Sequence, residues 1–187
     1  LSSYREMVEG SRRTEWIFGR AAAKVAVRMW VKRHCDMVLY PADIIISNDP
    51  SGGPRVGGRW TSQLERVPWI SIAHKGTTAI AVAGPEPIGI DVETVCRREE
   101  GFERIAFHES ERDVIDNLNG SSSRDEWLAR AWCAKEAAAK AAGTGLSAGP
   151  KSYEVRKIDA ASGDSVVTAG ASPGGRDEGR TDFAIKS

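Results

Sequence analysis

Gly89-Ile90-Asp91-Val92-Glu93 and, further along, Trp132-Cys133-Ala134-Lys135-Glu136-Ala137-Ala138-Ala139-Lys140 are the stretches from which the fold of this sequence is read. In the first, β-type residues alternate with others, which predicts a strand over Ile88–Glu93 with Ile88, Ile90 and Val92 on one face. Gly89, Asp91 and Glu93 take the other face, so two carboxylates stand side by side. Such a pair either faces solvent or holds a cation, because burying both without one is costly. The second stretch lies in a predicted helix over Trp127–Ala142, where Glu136 and Lys140 share a face one turn apart. By spacing alone that pair is either a surface ion pair or part of a site.

Outward from these stretches, Ser123-Arg124-Asp125-Glu126 reads as a capping box opening the long helix, and Gly143 closes it. Ser110 to Asp113 signals a shorter helix through Leu118. Beyond the long helix, Ser152–Ile158 alternates and Ser165–Thr168 can pair with it, while Ala171–Arg180 reads as a mobile Gly-rich loop. Toward the N-terminus, Trp69–Ala73 and Thr78–Ala83 predict a hairpin turning at Lys75-Gly76. Ser47–Gly58 reads as a loop. A helix from Arg12 to Lys32 carries Gly19, Ala22, Ala23, Ala26, Val27 and Trp30 on one face and a basic stripe of Arg20, Lys24 and Arg28 on another. The expected class is α+β, with two similar halves, each a helix packed on a small antiparallel sheet. Residues 1–85 form the first half and 86–187 the second, together one functional domain.

The 187 residues are 41% hydrophobic, with 26 basic and 26 acidic side chains and a formal net charge of zero. That balance argues against a nucleic-acid or anionic-membrane partner. No apolar run reaches the length of a membrane span, and Cys35, Cys96 and Cys133 have no metal-ligand spacing, so a cytoplasmic protein with reduced thiols is expected. The start at Leu1 without Met suggests a domain cut from a larger chain, such as a polyketide synthase.

Taken together, the two stretches resemble the signatures Gly-Ile-Asp-x-Glu and Trp-x-x-Lys-Glu-x-x-x-Lys of the 4′-phosphopantetheinyl transferase superfamily, in its larger, surfactin-synthetase-activating type. Ser71-Ile72-Ala73-His74 is similar to the family's Ser-His element, Phe107–Glu111 to its Phe-x-x-x-Glu, and Gly143-Thr144-Gly145-Leu146 to its Gly-x-Gly-Leu ending. The likeness runs from Arg12 to Arg156. Ala73 stands where the family often has Ser, and Gly52-Gly53-Pro54 lacks the family's basic residue before Pro, with Arg55 following instead. The tail after Ile158 is short for the family's last strands.

The resemblance implies an enzyme of the holo-[acyl-carrier-protein] synthase kind. It would move the phosphopantetheine arm of coenzyme A onto a serine of an apo acyl or peptidyl carrier protein, with Mg²⁺, releasing 3′,5′-ADP. Asp91, Glu93 and Glu136 are then the metal ligands. Glu136, or a water on the metal, takes the serine proton, and Lys140 holds a phosphate oxygen. His74 contacts the phosphates from the first half, and Arg12, Arg13, Arg20 and Arg55 are candidates for the nucleotide end. Lys135 either shapes the site or meets the carrier, and Trp69, Trp127 and Trp132 are expected in the core. A monomer suffices if the halves act as a pseudo-dimer.

Two other readings are open at this level. Ala73 and the missing loop cation fit a non-catalytic carrier-docking domain of the same fold. Clustered Asp, Glu and Lys also serve metal-dependent nucleases, although Glu and Lys one helical turn apart and zero net charge fit that reading poorly.

Overall fold

The computed structural model describes residues 11–118, 122–170 and 181–187, with backbone alone for Ser11 and Arg12. The predicted loop Ala171–Arg180 lies outside the described residues. The chain is mixed helix and antiparallel sheet, and it divides into two compact units, one ending at Val92 and the other beginning at Glu93.

Among the described residues, the first element of the first unit is helix α1, Ser11–Cys35. Its small-residue face is buried as its periodicity predicts: Ala23, Val27 and Val31 are fully enclosed with Leu39, Ile44, Trp60 and Ile70. Gly19 lets the helix approach the strand Trp69–Lys75 closely, since a Cβ there would lie 3.0 Å from Ile72 Cγ2. The basic stripe is structural. Lys24 Nζ donates to the Pro41 carbonyl at 2.7 Å and Arg28 Nε to that of Leu39 at 2.8 Å, strapping the segment after α1 against the helix.

Ser47–Gly58, read as a loop, is largely a hairpin. Strand β1, Ile45–Asn48, pairs antiparallel with β2, Pro54–Gly57. Asp49 organises the turn, accepting from Ser51 N, Ser51 Oγ and Gly53 N, and from Arg55 Nε at 3.0 Å. Gly58 follows at φ 142°, where a side chain would collide with the Asp43 carbonyl and the Trp60 indole. The predicted second hairpin is present as β3, Trp69–Lys75, and β4, Thr78–Gly84, with the turn at Gly76-Thr77.

The expected strand over Ile88–Glu93 does not form. Residues 87–99 make neither helix nor strand. Ile90 N–H donates to the hydroxyl of buried Ser71 at 3.1 Å rather than to a backbone carbonyl of a neighbouring strand.

In the second unit, helices α2 (Phe102–Ala106), α3 (Glu109–Asp116) and α4 (Arg124–Ala141) pack with a sheet ordered β5 (Tyr153–Ile158), β6 (Ser165–Ala169) and β7 (Thr181–Ile185). The tail thus supplies a third strand. Ser123 Oγ accepts from Glu126 N and caps α4, as its sequence indicates, but α3 begins earlier than Ser110. His108 is its N-cap, because the Glu111 carboxylate reaches back to the His108 N–H at 2.7 Å. The alanines of α4 let it press into the core: Ala131, Ala134, Ala138 and Ala139 are buried with Phe107, Leu128, Val155 and Val167. Among the described residues, no helix is long and apolar enough to cross a membrane.

Candidate functional site

In the first unit, β3 carries His74 opposite Ala79, and its exposed ring has Nδ1 3.6 Å from Glu15 Oε2 on α1. Arg13 is half-buried on the same helix. Arg20 donates to Asn48 Oδ1 at 2.7 Å, and burial pulls its pKa below the ordinary arginine value. The side chain of Arg12 lies outside the described residues. Arg55, on β2, is engaged with Asp49 and sits 5.0 Å over the ring of Trp69. Trp69 is 42% exposed and is no core residue, unlike Trp127, which is buried; Trp132 is half-buried. Arg55 and Trp69 line a cavity of about 440 Å³ with Pro54, Val67, Pro68 and Pro85.

Asp91 is half-buried directly after Ile90. Its neighbour is pinned by Ser71, a residue the sequence placed in the Ser-His element without a structural role. A serine preceding alternating apolar residues carries no signal of such a long-range tie.

In the second unit, Glu93 Oε2 accepts from Arg98 Nη2 at 3.2 Å, and the two side chains are only 12% and 17% exposed. The guanidinium lies 5.1 Å over the ring of Phe102, which meets Trp132 edge-on at 5.4 Å. No spacing or motif in the sequence singles out Arg98. It lines a cavity of about 470 Å³ together with Arg97, Arg104 and Arg112 and the acids Glu103 and Asp125. Glu136 and Lys140 stand one turn apart on α4, both half-buried. Lys135 is fully enclosed and presents no surface to a carrier, so of the two roles named for it this burial is compatible with shaping the site from within.

The acids named as metal ligands, Asp91, Glu93 and Glu136, are each half-buried carboxylates, the oxygen-donor chemistry that suits a hard cation. Among the described residues, no group of three or more His, Cys, Asp or Glu side chains gathers as a metal site. Mg²⁺ does not need such a cage, since it commonly keeps several waters and takes one or two carboxylates plus substrate phosphates. The donor chemistry therefore fits Mg²⁺.

A family model described as the 4′-phosphopantetheinyl transferase superfamily matches residues 87–173. That span contains Asp91, Glu93, Glu111, Lys135, Glu136 and Lys140, but not His74 or the candidate arginines of the first unit. Over 155 residues the chain is 28% identical to a protein of Synechocystis sp. provisionally named a 4′-phosphopantetheinyl transferase, an alignment covering 80% of this chain and 60% of that one. The chain thus spans less than two thirds of the length of the relative it matches.

Proposed function

We propose that this chain is a 4′-phosphopantetheinyl transferase that moves the phosphopantetheine arm of coenzyme A onto a serine of an apo acyl or peptidyl carrier protein. The observation that carries the reading is the superfamily match over residues 87–173, which encloses the acids and the Glu136–Lys140 pair of α4. In the reaction, the serine oxygen forms a bond to the phosphorus bearing the pantetheine arm, and the bond from that phosphorus to 3′,5′-ADP breaks.

Asp91, Glu93 and Glu136 would hold Mg²⁺, which when bound neutralises charge on the pyrophosphate. Glu136 accepts the serine proton at its carboxylate. Lys140, one turn along the same helix, holds a phosphate oxygen and the charge that develops on the 5′-phosphate of the leaving 3′,5′-ADP. His74 contacts phosphate from β3, and Arg13, Arg20 and Arg55 are the cations available in the first unit for the 3′-phosphate, with Arg12 preceding them in the sequence. The presence of a long helix and antiparallel strands in each unit supports the larger, two-half type of the family.

Incubation of the purified chain with coenzyme A, Mg²⁺ and apo carriers should raise the carrier mass by one phosphopantetheine and release 3′,5′-ADP. A panel of carriers left unmodified by folded protein would overturn the enzymatic reading and leave carrier docking without turnover.

A further inference from the structure

We propose that Arg98 is a positioning residue for Glu93, holding its carboxylate for the Mg²⁺ assigned to it above; the proposal rests on that assignment. Glu93 lies in a stretch with no helix or strand, so no backbone ladder fixes its direction. Its side chain is nevertheless largely buried, and a buried carboxylate needs a cationic or hydrogen-bonding partner. Arg98 supplies one from five residues on, through Nη2.

Arg98 is itself anchored. Its guanidinium stacks over Phe102, Phe102 packs edge-on against Trp132 and Phe107, and Trp132 stands on α4 one turn before Glu136. A continuous line of packed groups therefore runs from the helix of Glu136 to the carboxylate of Glu93, all within the second unit. The planar guanidinium is suited to both ends of this line, since it can lie flat on an aromatic ring while an N–H points at the carboxylate edge. Lysine offers no such plane. Groups that orient a ligating carboxylate in this way typically contribute roughly 10- to 100-fold in metal affinity.

The test is a Mg²⁺ titration of the melting temperature of the full chain, without coenzyme A or carrier. Arg98→Ala should need at least about tenfold more Mg²⁺ than wild type for half of the shift, and Arg98→Lys should fall between them. Arg97→Ala, which removes the same charge at an exposed neighbouring position, should titrate as wild type. Glu93→Gln should weaken the response, and adding Arg98→Ala to it should weaken it no further, because Arg98 acts through Glu93. A purely structural role for Arg98 would lower the starting melting point in both backgrounds without moving the Mg²⁺ midpoint. Arg98→Ala or Arg98→Lys titrating as wild type while Glu93→Gln does not would overturn the positioning role alone. Glu93→Gln titrating as wild type, or wild type showing no Mg²⁺ response, would sink the ligand assignment and the proposal with it.

Discussion

Lys135 Nζ lies 2.8 Å from Glu111 Oε1 and 2.9 Å from Oε2, with both side chains fully buried. The ammonium also donates to the Ala106 carbonyl at 2.7 Å and sits 4.8 Å over the Phe107 ring. Glu111 accepts in addition from Val155 N at 2.9 Å and from His108 N. The carboxylate thus joins the cap of α3, the middle of α4 and strand β5, and through Lys135 the pair also reaches the end of α2. Burial pulls the pKa of Lys135 below that of an ordinary lysine, and the bonds to Glu111 oppose that pull. Because successive residues of a helix turn by about 100°, fixing Lys135 inward also fixes where Glu136 points.

Removing one partner of this pair leaves a charge in a dry interior. Lys135→Met and Glu111→Gln are each expected to cost about 3–5 kcal/mol in denaturant unfolding. The double variant Lys135→Met with Glu111→Gln should lose clearly less than the sum of the two single variants, since no buried charge is then stranded. A single-variant loss below about 1 kcal/mol would mean that the pair is solvated in solution.

Glu136→Gln keeps the shape of the side chain but removes a proton acceptor and a metal ligand together, and should cut carrier modification at least about 100-fold. Lys140→Ala should do similar damage. In both variants circular dichroism and the melting transition should remain those of a folded protein, since neither residue belongs to the buried core. Near-normal turnover in either would mean that the roles given to the α4 face are wrong.

The β1–β2 turn should loosen in acid. The Ser51 hydroxyl, the Gly53 N–H and Arg55 favour the charged form of Asp49 and hold its pKa below the ordinary value of 3.8. A carboxyl group depressed by folding stabilises the native turn above its unfolded pKa, and that contribution disappears as pH falls through the lower folded value. The Gly53 amide resonance should therefore titrate with a midpoint below 3.8, and Asp49→Ala should abolish the transition. A midpoint at or above the ordinary value would contradict the hydrogen bonding of the turn.

How much of this was legible in advance depends on the range of each interaction. The buried face of α1 follows from Gly19, Ala23 and Val27, the start of α4 from Ser123, and the β3–β4 hairpin from two short runs separated by a glycine turn. Each of these depends on residues within a turn or two of one another. The Glu136–Lys140 face was equally readable, because helical spacing alone sets it.

Other features depend on segments far apart in the chain. The strand expected at Ile88–Glu93 was lost because Ser71 takes the Ile90 N–H across the fold. The β1–β2 hairpin is not legible in the sequence because Asp49 organises its turn from the side chain, in a stretch whose Gly and Pro content resembles an ordinary loop. Lys135 and Glu111 are 24 positions apart, and nothing in either segment says that they meet. The sequence by itself determined helix faces, the cap of α4, the second hairpin and the types of chemical group available. Only the tertiary structure decided which charges are buried and with whom, because the energy of a buried charge depends on the partners that packing brings to it and not on its neighbours along the chain.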